Sequence, residues 1–141
     1  MRKFIFLAAL IPAVVAAQRT QIVPTGQRAS ATLSPGIKYG DLIFTSGQQG
    51  MTRANPDSTI QGQTKKSLEN VKAVVEAAGS TMEHVLKCTV FLVDIKDFSG
   101  MNSVYTTVFP KEPPARSTVI VAALVSPGAK VEIECVAGMP K

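Results

Sequence analysis

The apolar positions of this chain repeat with two different periods. A period of three to four residues over 59–78, and again over 97–109, predicts two amphipathic helices. Gly79 and Pro110 follow these segments, where each helix is expected to end. The apolar face of the first helix comprises Leu68, Val71, Val75 and Ala78, and that of the second comprises Phe98, Met101, Val104, Tyr105 and Val108.

Short apolar runs without helical spacing predict the strands. Residues 37–39 and 42–46 flank Gly40 and Asp41, a turn pair that is typical of a β-hairpin. Residues 85–94 form a longer and largely apolar run, as expected for a central strand covered by helices. The pattern therefore predicts a hairpin before the first helix and a buried strand between the two helices.

The last two predicted strands carry the candidate site. An apolar run at 119–121, the turn sequence Ser126-Pro127-Gly128 and a second run at 131–133 predict a hairpin or two neighbouring strands. Arg116 precedes the first run, and Glu132 lies within the second. An arginine and a glutamate at the ends of such a unit can face one small pocket. A solvated or salt-bridged surface position is the alternative interpretation of Arg116.

The order of elements indicates the fold class. Hairpin, helix, strand, helix, strand, strand predicts an α+β fold with a mixed sheet and both helices on one face. The other face of the sheet then has no helix to cover its apolar residues. A large exposed apolar face indicates self-association, so we expect an oligomer.

Composition narrows the function classes. The chain has 141 residues, which favours one domain, and 45% of them are hydrophobic, which favours a globular fold. The net charge is +5, but basic residues do not cluster with aromatic ones, so nucleic-acid binding is not expected. One histidine and two cysteines form no metal-ligand pattern. Cys88 and Cys135 either pair or are separate core residues.

The first residues have a composition of their own. Met1-Arg2-Lys3 is basic, an apolar run follows, and Val15-Ala16-Ala17 offers a cleavage site, so residues 1–17 are predicted to be a secretory signal peptide. The run is too short for a membrane span. A mitochondrial presequence is the alternative, because no acidic residue occurs in the first 40 positions. We expect an extended segment over 18–30 and one domain over 31–141.

Several motifs occur together in a characteristic order, and they make the chain similar to a known family. They are Phe44-Thr45-Ser46-Gly47-Gln48, Ser67-Leu68-Glu69-Asn70-Val71, Thr89-Val90-Phe91-Leu92-Val93-Asp94, Asn102-x-x-Tyr105, Pro114-Ala115-Arg116-Ser117 and Val131-Glu132-Ile133. Over about residues 19–141 the chain resembles the RidA/YjgF family of reactive-intermediate imine deaminases. The resemblance implies a chorismate-mutase-like subunit in a homotrimer, with sheets lining an internal barrel and ligand pockets between subunits.

The resemblance also implies an activity: hydrolysis of 2-imino acids, or their enamine forms, to 2-keto acids and ammonia. Arg116 would bind the substrate carboxylate through two parallel hydrogen bonds. Glu132 would position or activate the attacking water. No metal or organic cofactor is expected, because an imine carbon is already electrophilic. The other positions assigned to substrate binding are Gly47, Gln48, Thr118, Asn102 and Tyr105.

Two departures from the family pattern leave a second function open. Leu33 stands where the family usually has a tyrosine, and Thr118 stands where a cysteine is frequent. A non-catalytic trimer that binds small carboxylates, or a secreted interaction protein, is therefore the alternative to a deaminase. Ribonuclease activity, which is attached to some family members, is disfavoured because the sequence has no paired histidines and no basic groove.

Overall fold

A computed structural model describes residues 19–28, 30–51 and 57–141, so the predicted leader over 1–17 lies outside the described residues. The helices are α1 (Ile60–Ala77) and α2 (Phe98–Val108). The strands are β1 (Arg19–Ile22), β2 (Gly36–Tyr39), β3 (Leu42–Thr45), β4 (Gln48–Gln49), β5 (Val85–Leu92), β6 (Ala115–Ile120) and β7 (Val131–Gly138). Short 3₁₀ turns at Met82–His84 and Ile95–Asp97 precede β5 and α2.

All these strands join one mixed sheet. Its order is β1-β2-β3-β7-β5-β6, and the short β4 also pairs with β7. β5 and β6 run parallel, whereas the other pairs are antiparallel. Helix α1 packs on β7 and β3, and α2 packs on α1, so both helices lie on one side. The predicted α+β fold with two helices on one face is confirmed.

The ends of these elements follow from local chemistry. The predicted β2–β3 hairpin is confirmed, and Gly40 takes the positive φ of 58° that its tight turn requires. Helix α1 begins after Thr59, whose side-chain oxygen accepts a hydrogen bond from the Gly62 backbone N–H. None of the described helices combines the length and the apolar character needed to span a membrane.

The prediction that the last two strands are neighbours is wrong. β5 lies between β6 and β7, because β6 pairs with it in parallel and β7 pairs with it on its other side. β7 is thereby bonded to β3 and β4 on one side and to β5 on the other. The Pro/Gly turn that suggested a hairpin is part of a connection that passes from one side of β5 to the other.

The core lies between the sheet and the helices. Along β7, buried and half-buried residues alternate, and Val131, Ile133, Cys135 and Ala137 are the buried ones. Cys88 on β5 lies directly opposite Cys135, with 4.1 Å between the two Cα atoms, and the two form a disulfide. The sequence left this pairing open, and the strand register decides it.

No described helix covers the other face of the sheet. Large apolar side chains there remain exposed to solvent, among them Phe44 at 42%, Leu86 at 54% and Val119 at 43%. We call this the bare face. It carries the apolar surface that the order of elements led us to expect.

Candidate functional site

Arg116 lies on the helix side of the sheet. It is paired in register with the buried Cys88, and partners on neighbouring parallel strands point the same way. Its guanidinium carbon is 4.6 Å from the ring centroid of Tyr105 and 5.9 Å from that of Phe98. Nη1 also contacts the sulfur of Met101 at 4.0 Å. Two aromatic rings of α2 therefore hold the arginine by cation–π contact.

Two hydroxyl groups beside this arginine have no hydrogen-bond partner among the described residues. They are Tyr105 Oη and Thr118 Oγ1, and both atoms are buried. Thr118 follows Arg116 by two positions on β6, so the two side chains point to the same side. Buried polar groups are normally satisfied, so these two hydroxyls have capacity for a ligand. We call this group the arginine site: Phe98, Met101, Tyr105, Arg116 and Thr118.

The electrostatics of the arginine site are those of an unpaired cation. The ion pairs found among the described residues join lysines to Glu69, Glu76 and Asp97, and none involves Arg116. The described residues therefore do not support the alternative interpretation of Arg116 as a salt-bridged surface residue. Burial raises the pKa of Tyr105 above its usual value, and the positive charge of Arg116 opposes that shift more weakly. Tyr105 is consequently a protonated donor at neutral pH.

Glu132 belongs to the opposite face of the sheet. Its register partners are Phe91 on β5 and Gln49 on β4. The Gln49 side-chain amide donates a short hydrogen bond to Glu132 Oε2. Gly47 leaves room for the carboxyl group, because a Cβ built on it would lie only 2.6 Å from Glu132 Cδ. We call Gly47, Gln49 and Glu132 the glutamate site.

One chain cannot bring the two charges into one pocket. Glu132 lies between the buried Val131 and Ile133, so its side chain points away from the helices, whereas Arg116 points towards them. The expectation of a shared pocket within a single strand pair is therefore wrong. Its premise, adjacent β6 and β7, fails in the sheet order.

The remaining candidate residues divide between the two sides. Asn102 lies on α2 one turn before Tyr105, and no hydrogen bond of its side chain is found in the described part of the chain. Gln48 donates from its side-chain amide to the Ser46 carbonyl and is paired with the buried Ile133. Gln49, its neighbour, is the glutamine that contacts the carboxyl group. Gln49, Phe98 and Met101 were missed by the sequence reasoning as site residues.

A cavity of about 520 Å³ opens on the bare face, with Phe44, Leu86 and Glu134 among its lining residues. It contains neither Arg116 nor Glu132. Across residues 19–28, 30–51 and 57–141, no group of three or more His, Cys, Asp or Glu side chains could hold a metal ion.

Known proteins are similar to this chain in sequence and in fold. A sequence profile of the Endoribonuclease L-PSP family matches residues 25–139. The protein mmf2, mitochondrial, of Schizosaccharomyces pombe is 45% identical over 104 residues, which is 72% of this chain and 82% of that protein. Reactive Intermediate Deaminase A, chloroplastic, of Arabidopsis thaliana is 38% identical over 125 residues, covering 84% of this chain and 66% of that protein.

A solved structure gives the same result. The crystal structure of E. coli TdcF with bound serine superposes with a TM-score of 0.73 at 37% identity, covering 86% of this chain and 96% of that one. The family profile covers most of the chain. The relatives of the chain include proteins named as reactive intermediate deaminases. The chain therefore belongs to the RidA/YjgF family, whose profile carries the name Endoribonuclease L-PSP.

Proposed function

We propose that this protein hydrolyses 2-imino acids and their enamine forms to 2-keto acids and ammonia. The site would form between two subunits of a homotrimer, where the arginine site of one subunit faces the glutamate site of its neighbour. The observation that carries this proposal is that Arg116 and Glu132 lie on opposite faces of one sheet, and neither forms an ion pair with another of the described residues. The name of the Arabidopsis relative supports the reaction class.

The arginine site has the chemistry of a carboxylate-binding site. A guanidinium held by two rings is pre-oriented, and it can donate two parallel hydrogen bonds to the substrate carboxylate. The hydroxyls of Tyr105 and Thr118 are further donors beside it, and neither has a hydrogen-bond partner among the described residues. Asn102 would approach the same ligand from α2. The serine in the TdcF structure also carries a carboxylate, which agrees with this ligand class.

The glutamate site would direct the water. The Glu132 carboxylate takes a proton from a water molecule as the water oxygen forms a bond to the imine carbon. Glu132 then passes this proton to the former imine nitrogen, which gives a neutral carbinolamine. Transfer of the carbinolamine hydroxyl proton to the amino group through Glu132 forms the keto C=O bond as the C–N bond breaks and ammonia leaves. Gly47 and Gln48 would form the backbone wall beside the reacting carbon. Holding the two reactants in this geometry is the main contribution, because the imine is already reactive.

The bare face provides the surface for assembly. Phe44, Leu86 and Val119 together expose apolar area that a single soluble subunit would not normally leave open. β6 is also an edge strand, and it carries Arg116 to the border of the sheet. Association through these surfaces would bury the apolar residues and bring a second subunit close to the arginine site. Sedimentation equilibrium of the purified protein should give three times the mass of the chain.

For the compartment, we favour the mitochondrion over secretion. Two relatives from Schizosaccharomyces pombe are named as mitochondrial, and they support the presequence interpretation of the first residues. The Cys88–Cys135 disulfide is the observation in favour of secretion, since such bonds persist in oxidising compartments. Imaging of the full chain with a C-terminal fluorescent tag decides between the two, because secretion would put the tag in the medium.

The decisive assay couples the protein to a dehydratase that releases 2-iminopropanoate. Wild type should accelerate formation of the keto acid, and Arg116→Ala and Glu132→Ala should each remove that acceleration. Wild type without activity on several imino acids would refute the deaminase. Thermal stabilisation by a small carboxylate, lost in Arg116→Ala and accompanied by no turnover, would instead establish the non-catalytic binding protein.

Mixing the two inactive variants tests the shared site. Arg116→Ala and Glu132→Ala subunits are mixed, unfolded and refolded so that they assort at random. About one quarter of the subunit interfaces then combine an intact Arg116 from one subunit with an intact Glu132 from its neighbour. Activity should therefore reappear on mixing to about that fraction of wild type. A site built within one chain would stay inactive in every mixture. Each variant refolded alone is the control.

A further inference from the structure

We infer that Gln49 is a positioning residue for Glu132, an inference that rests on the proposed function. Gln49 binds one carboxylate oxygen, Oε2, and thereby leaves the other, Oε1, to face the attacking water. The role belongs to the side-chain amide, since it is this group that reaches the carboxylate.

The contact is direct and local. β4 and β7 are paired so that Gln49 lies opposite Glu132, and partners in an antiparallel pair point to the same side. Gln49 Nε2 donates to Glu132 Oε2, and no lysine or arginine of the described residues forms an ion pair with Glu132. The amide is therefore the polar group that fixes the rotation of the carboxyl plane. It does so without bringing a charge to the site.

Gly47 restricts the same carboxyl group from a second direction. A Cβ on Gly47 would overlap Oε1, and it would come within 3.0 Å of Glu132 Cγ. The absence of a side chain at position 47 therefore keeps Oε1 uncovered, while Oε2 is bound by Gln49. Oε1 is the carboxylate oxygen that has no hydrogen bond from the described residues.

The strand that carries Gln49 is anchored to helix α1. β4 has only two residues, so its pairing with β7 alone would hold it weakly. Asn70 on α1 donates from its side-chain amide to the Gln49 carbonyl at 3.2 Å. This bond joins the backbone at Gln49 to the helix layer on the other side of the sheet. Asn70 therefore supports the placement of the amide that holds Glu132.

The test compares two substitutions of Gln49 with a matched control. Gln49→Leu removes the donor, and Gln49→Glu keeps the size but replaces the donor by a carboxylate that repels Glu132. The control is Gln21→Leu on β1, because Gln21 also makes one side-chain hydrogen bond, to Ser34 Oγ at 2.9 Å. All three are measured in the dehydratase-coupled assay with the full-length protein.

We expect kcat to fall about tenfold in Gln49→Leu, as for loss of one hydrogen bond to a charged group, and further in Gln49→Glu. KM should stay within about twofold, since Arg116 still binds the substrate carboxylate. Gln21→Leu should match wild type. Wild-type kcat in both Gln49 variants, with Arg116→Ala inactive, would overturn the role of Gln49 and leave the deaminase proposal intact.

A second measurement does not depend on turnover. The side-chain amide protons of Gln49 should resonate downfield of a free glutamine amide in ¹H–¹⁵N spectra, because one of them is bound to a carboxylate. Glu132→Gln should return that resonance towards the free position. An amide resonance that is unshifted in wild type, or unchanged by Glu132→Gln, would refute the contact even in a protein without deaminase activity.

Discussion

The arginine site and the glutamate site differ in how far the chain satisfies its own polar groups. In the arginine site, two buried hydroxyls have no hydrogen-bond partner in the described chain, and the guanidinium makes contacts with two aromatic rings and a sulfur. In the glutamate site, Gln49 already binds the carboxylate, and Gly47 leaves it a fitted space. The arginine site therefore has polar groups without partners in the described chain, whereas the carboxylate of the glutamate site is already held in position by the protein.

This difference assigns separate tasks to the two faces of the sheet. Unmet donors around a cation favour binding of an anionic ligand, which completes their hydrogen bonds. A carboxylate fixed by the protein before the ligand arrives favours chemistry, because its orientation costs nothing at the moment of reaction. We therefore expect changes in the arginine site to affect KM first, and changes in the glutamate site to affect kcat first.

The largest effect should come from the scaffold that the two sites share. Cys88→Ala with Cys135→Ala removes the bond between β5 and β7, whose ends are 47 residues apart, and should lower the free energy of unfolding by about 3 kcal/mol. Urea unfolding with and without reductant measures this. Because Cys88 is the register partner of Arg116, any kinetic change should appear in KM. Equal unfolding midpoints for wild type and variant would contradict the prediction.

The second-largest effect is expected on kcat, from a substitution that changes only the glutamate site. The new methyl group of Gly47→Ala would occupy the space of the Glu132 carboxyl group, which must then move. We expect kcat to fall by about 100-fold, the scale of a displaced general base, with KM little changed. Stability should change by less than about 1 kcal/mol, because the displaced atoms end a flexible side chain.

The control for Gly47→Ala is Gly138→Ala on β7. A Cβ there would be 3.9 Å from its nearest neighbour, the His84 carbonyl oxygen, so the methyl group fits without displacement. Its kcat should equal that of wild type. A Gly47→Ala variant with normal kcat would remove the reason for separating the two sites by task.

The sequence predicts part of this arrangement, and the limit is physical. Helical spacing located α1 and α2 within two residues at each end, because one face of each helix is buried. The residue types of Arg116 and Glu132 are visible in the sequence, but the faces they occupy depend on strand register. Side chains alternate between the two faces along a strand, but this alternation could not assign Arg116 and Glu132 to faces before β5 was known to lie between β6 and β7. The choice of Gln49 over Gln48 follows from the same register.

A smaller effect should come from the arginine site. Tyr105→Phe removes a buried hydroxyl that has no partner in the described chain, so the free protein should lose no stability. If that hydroxyl binds the substrate carboxylate, KM should rise about tenfold with kcat nearly unchanged. Tyr39→Phe is the control, since Tyr39 on β2 is 55% exposed. A fall in kcat without a change in KM would place Tyr105 in the chemical step.

The smallest effect is expected on the stability of the protein at alkaline pH, where Tyr105 ionises. Burial raises the pKa of Tyr105 in the folded protein above 10.0, so the unfolded chain ionises first as pH rises. Wild type should therefore begin to lose stability from this group above pH 10, and Tyr105→Phe should lose less than wild type over that range. Urea midpoints of both proteins, with Tyr39→Phe beside them, measure the difference. If Arg116 rather than burial controlled the pKa of Tyr105, the sign would reverse and wild type would resist alkali better than Tyr105→Phe, which would make the arginine site a charge-dominated one.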